Sequence, residues 1–508
     1  MNEFLIQEEP NKEEPNPVKP VKQVFVLATV GTCLSLGVLG AFFFDGQSWG
    51  INIALFSLLL IGSLLLLRTL REQPLGRTEY ALVATGFFFA ATFVWRDSLV
   101  LNGLSALGIL LTMNLAFTLG TRKELQPLNV SDVFQDFFAS SIYGFTSYYD
   151  LLTEDVQWNQ VQQRWGQFGG AALRGLLITI PLLIGFGILL TTSDVRFEAM
   201  IYDALDWGWD TELVIRYLIT FIICGWIVAA ILRGSVLNKG LVAQTPPSLP
   251  RWKLSSIEIV MVLGALNILF LSFIIVQFSY FFGGDALVQS SQGPTYALYA
   301  QQGFFQLVAV AFLVMALLLF IHWMYKPSSR LETKLFPVLA AIMVVITMVI
   351  EATAAHRMYL YIRVYGLTEL RLYTSVFMLW LVVVFLWFSV TVLREQRDRF
   401  VFGAISTALF LIGLLHVINP DARIADVNLA RLQVGERFEA EYVTSLSADV
   451  VPTLLTTLHN LPADQGCTLW KRLQSHPVLN FGEDNWRAWH WSRYQASELL
   501  SLASKPQC

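Results

Sequence analysis

Charge is what this sequence has least of. Only 14% of its 508 residues are Asp, Glu, Lys or Arg, against 55% apolar, a balance that excludes an ordinary water-soluble chain of this length and makes lipid the solvent for most of it. The scarce charges nearly cancel, to a formal −4, with no basic block, so the electrostatic footprint of a nucleic-acid-binding protein is missing. Cysteine is scarce too. Cys33 and Cys224 fall in apolar segments, Cys467 and Cys508 in the polar C-terminal part, and none makes a metal-ligand spacing, so neither a metal nor a cofactor is expected. There is no Walker loop, HExxH, GxSxG or dinucleotide-binding glycine fingerprint, which removes the familiar routes to a named enzyme chemistry.

What is present is a series of long apolar runs. A spanning helix needs about 20 mainly apolar residues, and eleven segments meet that template: 22–44, 49–70, 79–95, 98–119, 171–192, 213–233, 256–282, 303–325, 335–356, 370–393 and 400–418. The predicted fold class is all-α, a polytopic helical membrane bundle of about eleven spans with a small C-terminal helical soluble domain. Residues 1–21 hold Glu3, Glu8, Glu9, Glu13 and Glu14 among four prolines, too polar to bury a core, and read as a disordered acidic tail. The remaining divisions are four N-terminal spans in 22–119, a cytoplasmic loop in 120–170, seven spans in 171–418 and the small helical domain in 419–508. Within the loop, Val130, Val133, Phe134, Phe137, Phe138 and Ile142 recur at helical spacing, the pattern of a helix lying in the membrane interface.

Lys and Arg set the expected orientation, because cytoplasmic loops carry them. With the N-terminus inside, Arg68, Arg71, Arg77, Arg122, Lys123, Arg233, Lys239, Lys326, Arg330, Arg394, Arg397 and Arg399 fall inside, whereas the outer segments hold Arg96, Arg196 and Arg216. The chain is thus expected in the cell membrane with its C-terminal domain outside the cytoplasm. An oxidising compartment there permits a bridge between Cys467 and Cys508, with a free pair equally compatible.

One outer stretch breaks the charge rule. Residues 351–374, EATAAHRMYLYIRVYGLTELRLYT, place Glu351, His356, Arg357, Arg363, Glu369 and Arg371 where two apolar runs meet, and charge at a bilayer edge costs free energy unless something uses it. Pro337 suits a helix's first turn. That helix outruns the hydrocarbon near His356, Gly366 ends it in a left-handed turn, Thr368 caps the next and Glu369 lies in its first turn. Arg357, Tyr361 and Arg363 can share a broad face, and Tyr365, Glu369 and Tyr373 are spaced by four. Such a cluster suits a phosphate, carboxylate or sugar group; equally, it suits an interfacial aromatic belt with snorkelling arginines. Two further polar clusters fall on the same side, around Tyr280 and Asp285 and in NPDARIADVNLAR from Asn419. The candidate ligand-binding residues are therefore Glu351, His356, Arg357, Arg363, Tyr365, Glu369, Arg371, Tyr280 and Asp285.

QFSYFFGG, YALYAQQGFFQL, HRMYLYIRVYGLTELRLYT, NPDARIADVNLAR and SLSADVVPTL resemble, in order, the signature blocks of a bacterial integral-membrane family catalogued as domain of unknown function 4173, over approximately residues 170–455. The resemblance implies a polytopic bacterial membrane protein and carries no activity, cofactor or catalytic residue with it. It also implies a basic residue where Gln301 or Gln302 stands.

Three function classes are compatible with these residues. The first is transport or handling of a lipid or envelope precursor at the outer face, with Glu351 as intramembrane acid and arginines gripping an anionic headgroup. The second is a membrane-embedded transferase on lipid-linked substrates, with Glu351, Asp285 or His356 as general base. The third is a non-enzymatic envelope sensor or scaffold that binds a protein partner through 419–508. Membrane lipids are the expected surroundings in all three.

Overall fold

The computed structural model describes residues 23–45, 48–73, 75–121, 146–156, 211–237, 255–282, 304–325, 332–394, 399–433, 440–458, 463–475 and 486–503, with a few single positions besides. Among them the elements are helical and no β-strand occurs. The long helices are α1 Gln23–Phe44, α2 Ile51–Leu70, α3 Arg77–Trp95, α4 Leu99–Thr121, α5 Thr211–Leu237, α6 Ser256–Phe282, α7 Phe304–Met324, α8 Glu332–Tyr365, α9 Glu369–Thr391 and α10 Phe400–Ile418. These ten, among the described residues, are long and apolar enough to cross a membrane, as the apolar runs require. The eleventh expected span, 171–192, lies outside the described residues, single positions apart, as do the 1–21 tail and the apolar stripe at 130–142.

Polar contacts orient the helices. Arg216 near the start of α5 pairs with Asp45, just past the end of α1, at 2.7 Å, so α5 begins where α1 ends. The antiparallel run α1 to α4 finishes at the opposite end. Glycine lets α1 and α5 approach closely, because a Cβ at Gly40 would meet Cys224 Sγ at 2.5 Å; small residues are the usual device where helices pack in lipid. A second apolar core joins α6, α7, α8 and α9 through Leu263, Leu318, Met343 and Phe385. α10 packs against both α4 and α9 and so links the two groups.

α8 begins three residues before its expected start at 335 and, as expected, runs past the hydrocarbon limit near His356 to the Gly366 turn. It is one helix of 34 residues, about 51 Å at 1.5 Å per residue, against a hydrocarbon layer of about 30 Å. Pro337 therefore falls inside the second turn and not at the start. Glu332, Thr333 and Lys334 are invisible to an apolar template yet continue the helix. Gly366 ends it with φ +80°, as its lack of a Cβ allows.

At the end of α10, Asn419 takes φ 55° and Pro420 opens α11 Pro420–Gln433, a left-handed stop followed by the residue whose missing N–H a first turn does not need. α12 Ala440–Thr444, α13 Val451–Leu458, α14 Ala463–Gln474 and α15 Trp491–Leu502 complete a C-terminal helical unit around Ile424, Leu454, Leu469 and Ala496. The end of the bundle that carries this unit is termed the outer end. Cys467 is disulfide-bonded; its expected partner Cys508 lies outside the described residues.

Candidate functional site

At the α8–α9 end the arginines mostly hold backbone. The Arg371 guanidinium donates to the Gly366 carbonyl at 2.5 Å and lies 4.0 Å over the Tyr361 ring, which meets the Tyr365 ring edge-on at 5.1 Å. From α11, Asn428 clamps Leu367, donating to its carbonyl at 2.8 Å and accepting from its N–H at 3.0 Å, while Arg431 donates to the Val364 carbonyl at 2.7 Å. Thr368 has the extended backbone of an N-cap but its hydroxyl makes no capping bond. The Glu369 N–H is satisfied instead by the Tyr442 hydroxyl at 2.8 Å.

Below this cap lies an unpaired acid. Glu351 is 3% exposed, and neither carboxyl oxygen has a hydrogen-bond partner among the described residues. At 3.6 residues per turn, Glu351, Met358, Tyr361 and Tyr365 fall within about 80° of helix face, with about 15 Å of rise between Glu351 and Tyr361. One stripe thus runs from the buried acid to the tyrosines beneath Arg371.

The other predicted residues point elsewhere. Arg357 is buried, whereas His356 and Arg363 are exposed, and Arg363 lies about 120° around the helix from Glu351 by the same periodicity, 6.0 Å over the Tyr359 ring. Arg357, Tyr361 and Arg363 therefore do not share one exposed face. Tyr365 and Glu369 are separated by the Gly366 turn and belong to different helices. The Tyr280 backbone lies in α6, its side chain and Asp285 outside the described residues. Among the described residues, no group of three or more His, Cys, Asp or Glu is placed to hold a metal ion.

Sequence reasoning missed a denser polar network beside this site. Asp449, 4% exposed, accepts from the Arg96 guanidinium at 2.9 Å, the Asp97 N–H at 2.8 Å and the Ser492 hydroxyl at 2.6 Å. Asp97 in turn takes a 2.6 Å ion pair from Arg493. His490 is fully buried, with Nδ1 3.0 Å from the Arg96 carbonyl and Nε2 against the Trp49 carbonyl; burial pulls its pKa below the ordinary imidazole value, with nearby Asp97 acting the other way. His416 is consumed by Ser105 at 3.0 Å and its own helix's Ile412 carbonyl at 2.9 Å. Arg96 was legible only as an outer charge, and nothing in sequence spacing joins residues more than 350 positions apart.

The seam between unit and bundle holds one more strained acid. Asp421, 1% exposed, accepts from the Ser447 hydroxyl through Oδ2, while Oδ1 has no partner among the described residues. Burial pushes its carboxyl up to about 7; Ser447 acts against that, and Glu369 and Asp449 add to it.

No curated protein and no solved structure matches the chain. A family model does match, and it corrects the expected family: the resembling blocks, from Gln277 to Leu454, all lie inside the matched range, but that range belongs to a different family from domain of unknown function 4173 and starts about ninety residues earlier than the expected 170. Short blocks of helix ends and interfacial tyrosines record where a chain leaves the membrane more than which family it is. With residues 81–457 matched, from α3 into α13, the chain belongs to the family described as Domain of unknown function (DUF4153).

Proposed function

We propose that this integral membrane protein binds an anionic lipid, or a lipid-linked envelope precursor, at the outer end of α8 and α9. The observation that carries the reading is Glu351: a carboxyl buried in an apolar span with neither oxygen bonded among the described residues is costly to keep and is by default a functional group. A ligand hydroxyl or amine would supply the missing donor. Arg371, over the Tyr361 ring at the outer end of the same stripe, would take the anionic group, since a guanidinium keeps donors to spare after one backbone bond. The proposed placement has the N-terminus in the cytoplasm and the C-terminal unit outside it, which the disulfide at Cys467 supports because such bonds persist in oxidising compartments.

The test is native mass spectrometry of the full chain released from its own membranes, comparing wild type with Glu351→Gln and Arg371→Ala. A bound lipid-sized species retained by wild type and reduced at least fivefold in both variants is the expected result. Equal retention in all three would remove Glu351 and Arg371 from any ligand site.

A sensor or scaffold reading is favoured by a separate observation, the buried Asp449 network that locks the C-terminal unit to α3. Such a lock would transmit a partner's binding at the unit into the bundle.

A further inference from the structure

The C-terminal unit carries three tryptophans that its core does not use. Trp486, Trp489 and Trp491 are 49, 37 and 48% exposed, a large apolar area for a segment expected to be soluble. Their backbone is tied to the outer ends of spanning helices. The Trp489 carbonyl accepts the N–H of Ile51, the first residue of α2, at 3.1 Å. Arg487 donates to the Phe42 carbonyl in the last turn of α1 at 2.5 Å and lies 5.1 Å over the Phe42 ring. Ser492 donates to the carbonyl of Trp95, the last residue of α3, at 2.7 Å.

These ties fix the depth of the segment. α1, α2 and α3 cross the bilayer, so residues bonded to their final turns lie within about one turn, 5.4 Å, of the helix ends. The rings continue the lipid-facing surface outward: Trp486 lies 6.5 Å from Phe42 and 6.4 Å from Phe43, and Phe42 is itself 45% exposed on its spanning helix. Tyr494 joins Trp489 and Trp491, at 6.5 and 5.8 Å. An indole has an apolar body and one N–H, the combination that settles at headgroup level.

We propose that residues 486–494 are seated in the headgroup layer of the leaflet around α1, α2 and α3, and that their partner is the phospholipid interface and not another protein. The occupant is set by continuity: the segment prolongs a surface that already faces lipid, at the depth where aromatic side chains bind it. The C-terminal unit is then held by two contacts of different chemistry, the Asp449 network on the bundle and an aromatic edge in the lipid. This site is separate from the one proposed around Glu351.

The experiment places a nitroxide at Trp491→Cys, and separately at Glu498→Cys one to two turns further along α15, in the full chain with Cys33→Ala and Cys224→Ala, reconstituted in phosphatidylcholine and phosphatidylglycerol vesicles. The ratio of collisions with oxygen to collisions with a water-soluble nickel chelate is expected to be at least threefold higher at 491 than at 498. Equal ratios with free access of nickel would overturn the proposal, and so would low access of both reagents at 491, the signature of a protein cover. A label-free check uses lipids brominated near the headgroup: they should quench wild-type fluorescence more than that of the Trp486→Phe, Trp489→Phe, Trp491→Phe triple variant, and identical fractional quenching would count against the lipid seat.

Discussion

Asp421 shows what burial does to a single side chain. Its ordinary carboxyl value of 3.8 is raised to about 7 in the folded chain, so the folded state holds the proton more tightly than the unfolded one. The contribution to stability is fully present below about pH 4 and is lost as pH rises to about 7. At 1.36 kcal/mol per pH unit it amounts to about 4 kcal/mol at most. Thermal unfolding in nanodiscs should therefore fall across that window, and Asp421→Asn, which keeps an acceptor for Ser447, should flatten the slope; an unchanged slope would place the titration elsewhere. Gly366 makes a steric demand instead. A Cβ there would collide with Asn428 Oδ1 and lie 2.5 Å from an Arg431 nitrogen, at φ +80°. Gly366→Ala should cost about 1–3 kcal/mol and weaken the seating of α11, visible as faster proteolysis after Asn428; stability equal to wild type would mean that the turn relaxes freely.

Among elements, the end of α3 is joined to the C-terminal unit by a buried ion pair between Arg96 and Asp449 at 2.9 Å. Removing one partner of a buried pair leaves the other charge unpaired and costs about 3–5 kcal/mol, so Asp449→Ala should release α15 from the bundle and raise hydrogen exchange in residues 491–502 at least tenfold, with exchange in α6 to α8 unchanged. Uniform loosening of the whole chain would show that the unit is not a separable element. The same elements mark the limit of what the sequence tells. Spans were legible because an apolar run of the right length has one stable solution in lipid, and the stop at Asn419 and Pro420 because its chemistry is local. α14 was missed: Leu469, Trp470 and Leu473 bury only one narrow stripe of it. α12 and α13 do not join into one helix, because the Ser447 hydroxyl between them accepts the Asp449 N–H at 3.3 Å, a side-chain bond that competes with the helix. Glu351 stood out as a charge in an apolar run. The Arg96, Asp97 and Asp449 network did not, because its charges look like ordinary loop residues until the fold brings them together.

At the scale of the whole molecule, one end of the bundle gathers the chemistry. The α8–α9 turn, α11, the Asp421 seam, the Asp449 network and the tryptophan edge all lie there, whereas near the opposite end Arg68 and Glu79 form a buried pair at 2.7 Å and Arg233 and Asp155 another at 2.7 Å. A buried pair gains little net stability over apolar packing but is costly to break, since its loss strands a charge away from water. The sidedness of that chemistry is the claim on which the lipid-binding proposal depends. It is tested most directly by a membrane-impermeant maleimide on intact cells that express the full chain with Glu498→Cys, Cys33→Ala and Cys224→Ala. Labelling before permeabilisation is the predicted result, because Glu498 is exposed on the unit that covers the outer end. Labelling only after permeabilisation would turn the molecule over and place the Glu351 stripe at the cytoplasmic leaflet.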